Sequence, residues 1–227
     1  MGSSPGRGGS PLALAGAASR APRGPYRASA ATLARRATAR ERLLAAATEI
    51  IAGQGYSGLT IAGTAARAGL SVGSVYHHFD SKAALETEVF RREADQELAA
   101  VRLSAQLAAG PLPALEEAVA TFAARALASP RQAWALLAEP VGSEVEAERL
   151  RFRRSYEELF TSLIEQAIAA GQLPADQRPS LTGAAVVGAV SESLIGPLAP
   201  AGAGGDDVAG LVERITRLVV RLCGGQP

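Results

Sequence analysis

The sequence has few residues of the types that form disulfides, metal sites and catalytic dyads. Its 227 residues include one cysteine, Cys223, which cannot form a disulfide within the chain, and two histidines, His77 and His78. Side chains of neighbouring helical residues point about 100° apart, so these histidines are poorly placed to share a metal ion. Asp80 and Ser81 are better explained by a turn and a helix cap than by catalysis. We therefore predict no metal, no cofactor and no enzymatic activity.

Long apolar runs and strand patterns are also missing from the sequence. No run of apolar residues reaches the length of about 20 that a membrane helix needs, and no segment alternates apolar and polar residues as strands do. The apolar stretch 12–18 is short and mostly alanine, which argues against a signal peptide. These absences predict a soluble, cytoplasmic, all-α protein without a membrane partner.

Charge is unevenly distributed along the chain, although the net charge is only +1. Residues 1–42 carry eight arginines and one glutamate, a net charge of +7, whereas residues 43–227 carry a net charge of −6. Residues 1–36 are rich in Gly, Ser, Pro, Ala and Arg and show no helical period, which predicts a disordered basic arm. Such an arm either binds a polyanion such as DNA or remains a solvated tail.

A small helical domain is predicted for residues 37–83. Apolar residues recur at helical spacing after Thr38, and hydroxyl residues then stand where three further helices would begin. The hydroxyl residues are Thr60, Ser71 and Ser81, and such side chains cap helix N-termini. The apolar face of the first helix consists of Leu43, Leu44, Ala47, Ile50 and Ile51.

Prolines divide the rest of the chain, residues 84–227, into further helical segments that follow a long fourth helix. Proline is tolerated at helix starts and in connections, so this punctuation indicates an all-helical second domain. The predicted segments after the fourth helix are roughly 113–128, 130–138, 144–170, 179–197 and 206–223.

The two short helices between Thr60 and Lys82 predict a helix-turn-helix, in which Gly69 forms the turn and Val75 and Phe79 face the core. The second helix of this motif enters the DNA major groove, where its polar groups contact bases and phosphates. Lys82 begins the next helix, and a helix start favours an anion such as phosphate. The outer face of the second helix consists of Val72, Gly73, Ser74, Tyr76, His77 and His78.

The segment LLAAATEIIAGQGYSGLTIAGTAARAGLSVGSVYHHFDSKAAL resembles the DNA-binding domain of the TetR (tetracycline-repressor) family. The resemblance implies a homodimeric regulator with an N-terminal DNA-binding domain and an all-helical ligand-binding and dimerisation domain. It also implies that phosphates are held by Thr60, Tyr76, His78 and Lys82. Ser71 caps the recognition helix, and the residues towards the bases are Val72, Gly73, Ser74 and His77. Arg36, at the end of the basic arm, and Arg40, just after it, are expected to reach phosphates or the minor groove.

Aromatic residues suggest where a ligand would bind in the second domain. Phe152, Tyr156 and Phe160 recur every four residues, and Phe122 and Trp134 add to an otherwise alanine-rich composition. Alanine-rich helices leave room that aromatic rings can line, which favours a pocket for an apolar or planar ligand. The alternative is that the stripe is plain core.

The last two helical segments predict a dimer interface. One carries a stripe of mostly small residues, and the other carries an apolar seam at helical spacing. Two such helices from each subunit would form a four-helix interface, and the alternative is packing within one chain. The predicted interface residues are Ala184, Gly188, Ser191, Ile195, Leu211, Ile215, Leu218 and Leu222.

These features predict a ligand-responsive regulator, most simply a repressor that binds a palindromic operator as a dimer and is released by a small apolar or aromatic effector. An activator is the closest alternative. An architectural DNA-binding protein that uses mainly the basic arm, or a helical enzyme that uses His77 and His78 with Asp80, fits the sequence less well.

Overall fold

The computed structural model describes residues 1–3, 30–200 and 207–225, and every regular element in these ranges is a helix. No strand occurs in these ranges, so the all-α prediction is confirmed. A short 3₁₀ turn, Tyr56–Gly58, follows the first helix. The α-helices are α1 (Ala30–Gln54), α2 (Ile61–Ala68), α3 (Val72–His78), α4 (Lys82–Leu107), α5 (Pro111–Ala128), α6 (Pro130–Leu137), α7 (Ser143–Ala169), α8 (Pro179–Leu198) and α9 (Val208–Leu222).

The first helix begins earlier than the sequence pattern predicted. Residues 30–36 form the first turns of α1, so the prediction of disorder is wrong for this part of the basic arm. The segment is made of alanine, leucine, arginine and a threonine, and the first three are strong helix formers, so it extends the amphipathic helix that follows. The remainder of the predicted arm, residues 4–29, lies outside the described residues.

The N-terminal domain is α1, α2, α3 and the start of α4, packed around a core of large apolar side chains. Leu43, Leu59, Val75 and Leu85 are fully buried in it. The turn between α2 and α3 depends on Gly69, whose φ of 63° lies in the left-handed region that favours glycine. This turn and the caps described below place α3 at the surface of the domain.

All three predicted hydroxyl caps are present. Thr60 Oγ1 accepts a hydrogen bond from the Gly63 amide at 3.0 Å, and Ser71 Oγ accepts one from the Ser74 amide at 3.1 Å. Ser81 Oγ accepts one from the Ala84 amide at 3.0 Å. Each bond satisfies an amide that the first turn of a helix leaves without an intrahelical partner, so α2, α3 and α4 begin where their sequences specify.

The body of the protein consists of α5–α9 packed around the C-terminal half of α4. Its core is rich in alanine, and Ala118, Ala123 and Ala167 are fully buried. Proline begins α5, α6 and α8. At the end of α9, Cys223 is a free and buried cysteine.

The prediction that no segment is long and apolar enough to cross a membrane needs a correction at α8. An 18-residue window of this helix has a mean hydropathy of 1.4, so by length and composition alone α8 could cross a membrane. Its Val186, Val190 and Leu194 are instead buried in the core of the body. Core helices of globular proteins share this composition, and α8 packs as one of them.

Candidate DNA-binding and effector sites

The outer face of α3 is exposed as the sequence predicted. Val72 and Tyr76 are 44% and 54% exposed, although both are large apolar or aromatic residues, while Val75 is fully buried on the opposite face. An added Cβ at Gly73 would have Ser71 Oγ, 3.7 Å away, as its nearest neighbour. Nothing within the described chain therefore requires a glycine at position 73, and its absent side chain leaves this face of α3 open to a close partner.

Ser71 and Ser74 form a local hydrogen-bonded pair at the start of α3. Their hydroxyl oxygens lie 3.0 Å apart, and Ser71 also accepts from the Ser74 amide. A hydroxyl donates one hydrogen bond and accepts up to two, so Ser74 keeps capacity for a further partner. The pair holds the Ser74 side chain against the first turn of the helix.

The adjacent histidines lie beside the first helix. Arg36 donates a hydrogen bond of 2.7 Å to His77 Nε2, and the two imidazole rings meet edge to face with centroids 5.3 Å apart. Burial, followed by the nearby His77, Arg36 and Arg40, lowers the pKa of His78, which favours its neutral form near pH 7. Within the described residues, no group of His, Cys, Asp and Glu side chains has the arrangement that a metal ion needs.

The cations that are predicted to bind phosphate differ in the contacts that they make within the protein. The Arg40 guanidinium lies 5.3 Å from the centroid of the Phe79 ring and pairs with Glu88 at 2.6 Å, so it is held within the domain. Lys82 is 45% exposed and pairs with Glu86 at 3.1 Å on the same helix. Arg36 is the cation that joins α1 to the end of α3.

A cavity of about 270 Å³ lies between α5, α6, α7 and α8, and we call it the central cavity. Phe122, Phe152 and Tyr156 line it, as predicted for a ligand site. The Tyr156 ring meets both phenylalanine rings edge to face, with centroids 4.9 Å apart in each case. The three rings form an aromatic wall that suits an apolar or planar group.

Two of the predicted ligand-binding residues do not line the central cavity. Phe160 is 1% exposed and stacks on Tyr156 with a centroid distance of 6.2 Å, so it supports the aromatic wall from behind. Trp134 of α6 packs against the body core but does not line the cavity. The four-residue period identified one face of α7 correctly, but it does not specify where along that face the cavity ends.

Several lining residues were not predicted, because they come from positions that no local pattern connects. Arg149 and Arg153 of α7 line the central cavity, as do Val187 and Ser191 of α8. Ser191 was assigned to the dimer interface with the other small residues of its helix. It is 8% exposed and faces the cavity, so that assignment is corrected.

The outer faces of α8 and α9 retain most of the predicted interface residues. Leu218 and Leu222 are 49% and 45% exposed, and an added Cβ at Gly188 would meet nothing within 4 Å. Ile215 is 3% exposed within the chain, so it is corrected to a core residue. Leu181, which the stripe of small residues did not include, is 68% exposed. Ala184, Ile195 and Leu211 are half-buried.

Helix α6 is shared between the central cavity and the N-terminal domain. Leu136 and Leu137 line the cavity, while Ala135 and Leu136 belong to the N-terminal core together with α1 residues. Arg149 fixes the end of this helix by donating hydrogen bonds to the carbonyl oxygens of Leu136 at 2.9 Å and Glu139 at 2.8 Å. A displacement of α6 by a bound molecule would therefore be transmitted directly to α1.

A hydrogen-bonded chain of three side chains connects the same elements. Glu93 of α4 accepts from Thr48 of α1 at 3.2 Å and from Gln132 of α6 at 2.5 Å. Burial raises the pKa of the Glu93 carboxyl group, and the hydrogen bond from Thr48 opposes that change. Gln132 also lines a narrow crevice next to the central cavity, so the chain begins at the cavity region and ends in the N-terminal domain.

Two family models match the chain. Residues 43–89 match "Bacterial regulatory proteins, tetR family", and residues 109–194 match "Tetracyclin repressor-like, C-terminal domain". Together the two models cover more than half of the chain, and they divide it as the N-terminal domain and the body do. No curated protein matches the sequence.

Solved structures with the same fold match this chain over nearly all of their own length. The fatty acid degradation regulator FadR of Bacillus halodurans superposes with a TM-score of 0.70 at 18% identity, over 80% of this chain and 94% of that one. FadR of Bacillus subtilis, solved in complex with stearoyl-CoA, gives 0.70 at 17% identity, over 80% and 97%. A tetR-family regulatory protein of Rhodococcus RHA1 gives 0.64 at 23% identity, over 83% and 98%. At these identities the structures establish the fold, and together with the two family models they show that the chain belongs to the TetR family of bacterial transcriptional regulators.

Proposed function

We propose that this TetR-family regulator is a dimeric repressor that binds a palindromic operator and is released when a small molecule occupies the central cavity. The observation that carries the proposal is the double role of α6, which lines the cavity with Leu136 and Leu137 and packs in the N-terminal core with Ala135 and Leu136. The proposed activity is binding rather than catalysis, and it takes place in the cytoplasm on the nucleoid.

In the proposed complex, α3 lies in the major groove. Its exposed outer face and the open space at Gly73 permit close approach to base edges, with Ser74 and His77 as hydrogen-bonding groups. Phosphate contacts come from the exposed groups at the edges of this face, which are Thr60, Tyr76, His78 and Lys82. Arg36 approaches the DNA from α1 beside His77.

The proposed dimer uses the outer faces of α8 and α9. Exposed leucines on both helices would be buried by a second copy, and Gly188 would allow the α8 helices to approach closely. A two-fold dimer presents two α3 helices, which matches an operator with two related half-sites. Sedimentation of Gly188→Arg tests this interface, because an arginine at the crossing would shift the protein towards monomer without disturbing the core.

The proposed effector is small, with an apolar or aromatic part that packs on the wall formed by Phe122, Phe152 and Tyr156. FadR of Bacillus subtilis binds an acyl thioester in the same fold, which supports a ligand with a large apolar portion. Filling the cavity displaces α6, and the displacement reaches the N-terminal core and changes the spacing of the two α3 helices. An activator would use the same contacts with the opposite sign of coupling.

The proposed docking of α3 is tested by comparing Lys82→Ala with Ser74→Ala on a selected operator and on scrambled DNA over a series of salt concentrations. Loss of a phosphate contact at Lys82 should weaken binding to both DNAs and reduce the salt slope by roughly one unit. Loss of a base contact at Ser74 should weaken operator binding by about 1–3 kcal/mol and spare scrambled DNA. The reverse pattern would contradict the docking.

A further inference from the structure

The polar groups that line the central cavity are not all paired within the protein. Arg149 is paired, because it forms an ion pair of 2.5 Å with Glu146 and donates to backbone carbonyls at the end of α6. Arg153 lines the same cavity from one turn further along α7, and it has no hydrogen bond or ion pair within the described part of the chain. Glu146 therefore neutralises Arg149, whereas the exposed Arg153 has no carboxylate partner in the described part of the chain.

Ser191 provides a second and independent unpaired group. It is 8% exposed, lines the cavity from α8, and makes no side-chain hydrogen bond to any described residue. The Oγ atom is not enclosed by protein, so it faces the cavity solvent and is free to donate to or accept from a bound molecule. Its position opposite α7 places a hydrogen-bond donor across the cavity from the helix that carries Arg153.

The neighbouring crevice shows what a self-satisfied polar lining looks like in this protein. Its Arg125 forms two hydrogen bonds with Glu97, at 2.6 and 2.8 Å, and its Gln132 donates to Glu93. The crevice also holds only about 30 Å³, roughly the space of one water molecule. The crevice therefore has no room for an organic ligand, whereas the central cavity, with Arg153 and Ser191 in its lining, has.

We infer that the effector is an amphipathic anion, whose carboxylate, sulfonate or phosphate group binds Arg153 and Ser191 while its apolar part packs on the aromatic wall. Arg153 is exposed, so the anionic group would sit at the mouth of the cavity and keep part of its hydration, which avoids the cost of burying a charge. Tyr156 is 2% exposed, so the part of the cavity that its ring lines is well shielded from solvent and suits an apolar group. This inference rests on the proposed function, because it names the ligand class of the same cavity.

Two fluorescent dyes that differ by one charged group test the inference. The dye 8-anilino-1-naphthalenesulfonate carries a sulfonate, and N-phenyl-1-naphthylamine has the same ring system without it. We expect Arg153→Gln to raise the dissociation constant of the sulfonate dye at least about tenfold, as for loss of a charge-assisted hydrogen bond, and to leave the neutral dye within twofold. Ser191→Ala should weaken the sulfonate dye roughly threefold. Arg154→Gln removes the same charge from the next residue of α7, which does not line the cavity, and should change neither dye.

Cavity-filling variants separate failure of the inference from failure of the proposed function. Val187→Phe should abolish binding of both dyes, and Ala138→Leu, at the α6 end of the cavity, serves if Val187→Phe does not fold. Loss of both dyes on filling, with equal affinity of Arg153→Gln and wild type for the sulfonate dye, would overturn the anionic class and keep the cavity as the effector site. Unchanged binding of both dyes in a folded, filled variant would overturn the cavity itself.

Discussion

The N-terminal domain and the body begin their helices by different means. In the domain, α2, α3 and α4 each start with a hydroxyl side chain bonded to a backbone amide. In the body, α5, α6 and α8 start with proline, and no side chain caps them. A hydroxyl cap fixes the helix start through a local bond, whereas proline only presets the backbone angle. The orientation of α3 is therefore set locally, while α5, α6 and α8 depend on what they pack against. Helix α9 is an exception within the body, because Asp207 Oδ1 accepts a hydrogen bond from the Gly210 amide at 2.8 Å.

The two cores are alike in composition but differ in how fully they are packed. Buried alanines occur in both, for example Ala47 in the N-terminal core and Ala118 in the body, and so do buried large side chains such as Leu85 and Phe160. The central cavity, however, lies among the helices of the body. The N-terminal domain is suited to hold a fixed shape, and the body has space that a bound molecule could fill.

The largest effect is expected from truncating a large side chain in the N-terminal core. Leu85 is fully buried, so Leu85→Ala should lower the free energy of unfolding by about 2–5 kcal/mol. Leu150→Ala is the matched control at the rim of the central cavity, where the side chain is 52% exposed and the cost should be below about 0.5 kcal/mol. Denaturant unfolding measures both, and similar losses would contradict the difference in burial between Leu85 and Leu150.

A pair of glycine substitutions should act in opposite directions. Gly55 has a φ of 75°, and an added Cβ would lie 2.6 Å from an Arg131 nitrogen, with the Glu139 carboxylate closer still. Gly55→Ala should therefore destabilise the protein by about 2 kcal/mol or more. Gly53→Ala, in α1 with open space around the Cβ and outside the proposed dimer interface, should stabilise it by up to about 1 kcal/mol. Thermal unfolding of both variants decides, and destabilisation of equal size would contradict the strain assigned to a side chain at position 55.

A smaller effect separates the two kinds of helix start. Ser81→Ala removes the cap of α4 and should cost about 1 kcal/mol. Ser143 begins α7, but its hydroxyl donates to the Glu144 carboxylate instead of capping the helix, so Ser143→Ala should cost no more than a few tenths of a kcal/mol. The two variants are compared by urea unfolding, and an equal cost would show that the caps contribute no more than other surface serines.

The smallest effects should appear in how stability depends on pH, at two carboxylates on the junction between the parts. The hydrogen bond from Arg91, the largest influence, lowers the pKa of Glu148, which is buried between α4 and α7. Its contribution is present above the ordinary glutamate pKa of about 4.3 and is lost as pH falls through the lower folded value. Burial raises the pKa of Glu93, so the folded state binds the Glu93 proton more tightly and stability falls as pH rises from about 4.3 through the higher folded value.

Stability curves of Glu148→Gln and Glu93→Gln from pH 3 to 8 test these signs. Glu148→Gln should reduce the loss of stability in acid, and Glu93→Gln should reduce the decline on the alkaline side of the same range. Slopes that change in the same direction in both variants would contradict the opposite placement of the two carboxylates.

Local chemistry explains which parts of the structure could be predicted from the sequence. The caps at Thr60, Ser71 and Ser81, and the burial of Val75 and Phe79, depend on neighbours within a few residues, and the sequence pattern predicted them correctly. The start of α1 was missed because arginine and alanine serve a helix as well as a solvated arm. The hydrogen bond from Arg36 to His77 holds residues 30–36 beside α3. It joins residues 41 positions apart, so no local sequence pattern predicts it.

The body shows the limit of periodicity more clearly. A stripe of small residues on α8 contains Gly188, which faces outward, and Ser191, which lines the cavity, although the two are three residues apart. Residues at this helical spacing point in similar directions from the helix axis. Only the packing of α5 and α7 against α8 decides which of them is buried. The contacts of Arg149 with the end of α6 likewise arise from tertiary structure alone.

Burial of Cys223 has a consequence for the chemical reactivity of the protein. Removal from water raises the pKa of the thiol to about 11, so almost none of it is the reactive thiolate near neutral pH. Oxidants and alkylating reagents can reach the sulfur only when the end of α9 separates from the core. The rate of thiol labelling in the native protein would therefore report how often α9 opens, and a slower rate on dimer formation or effector binding would report those events at this one sulfur.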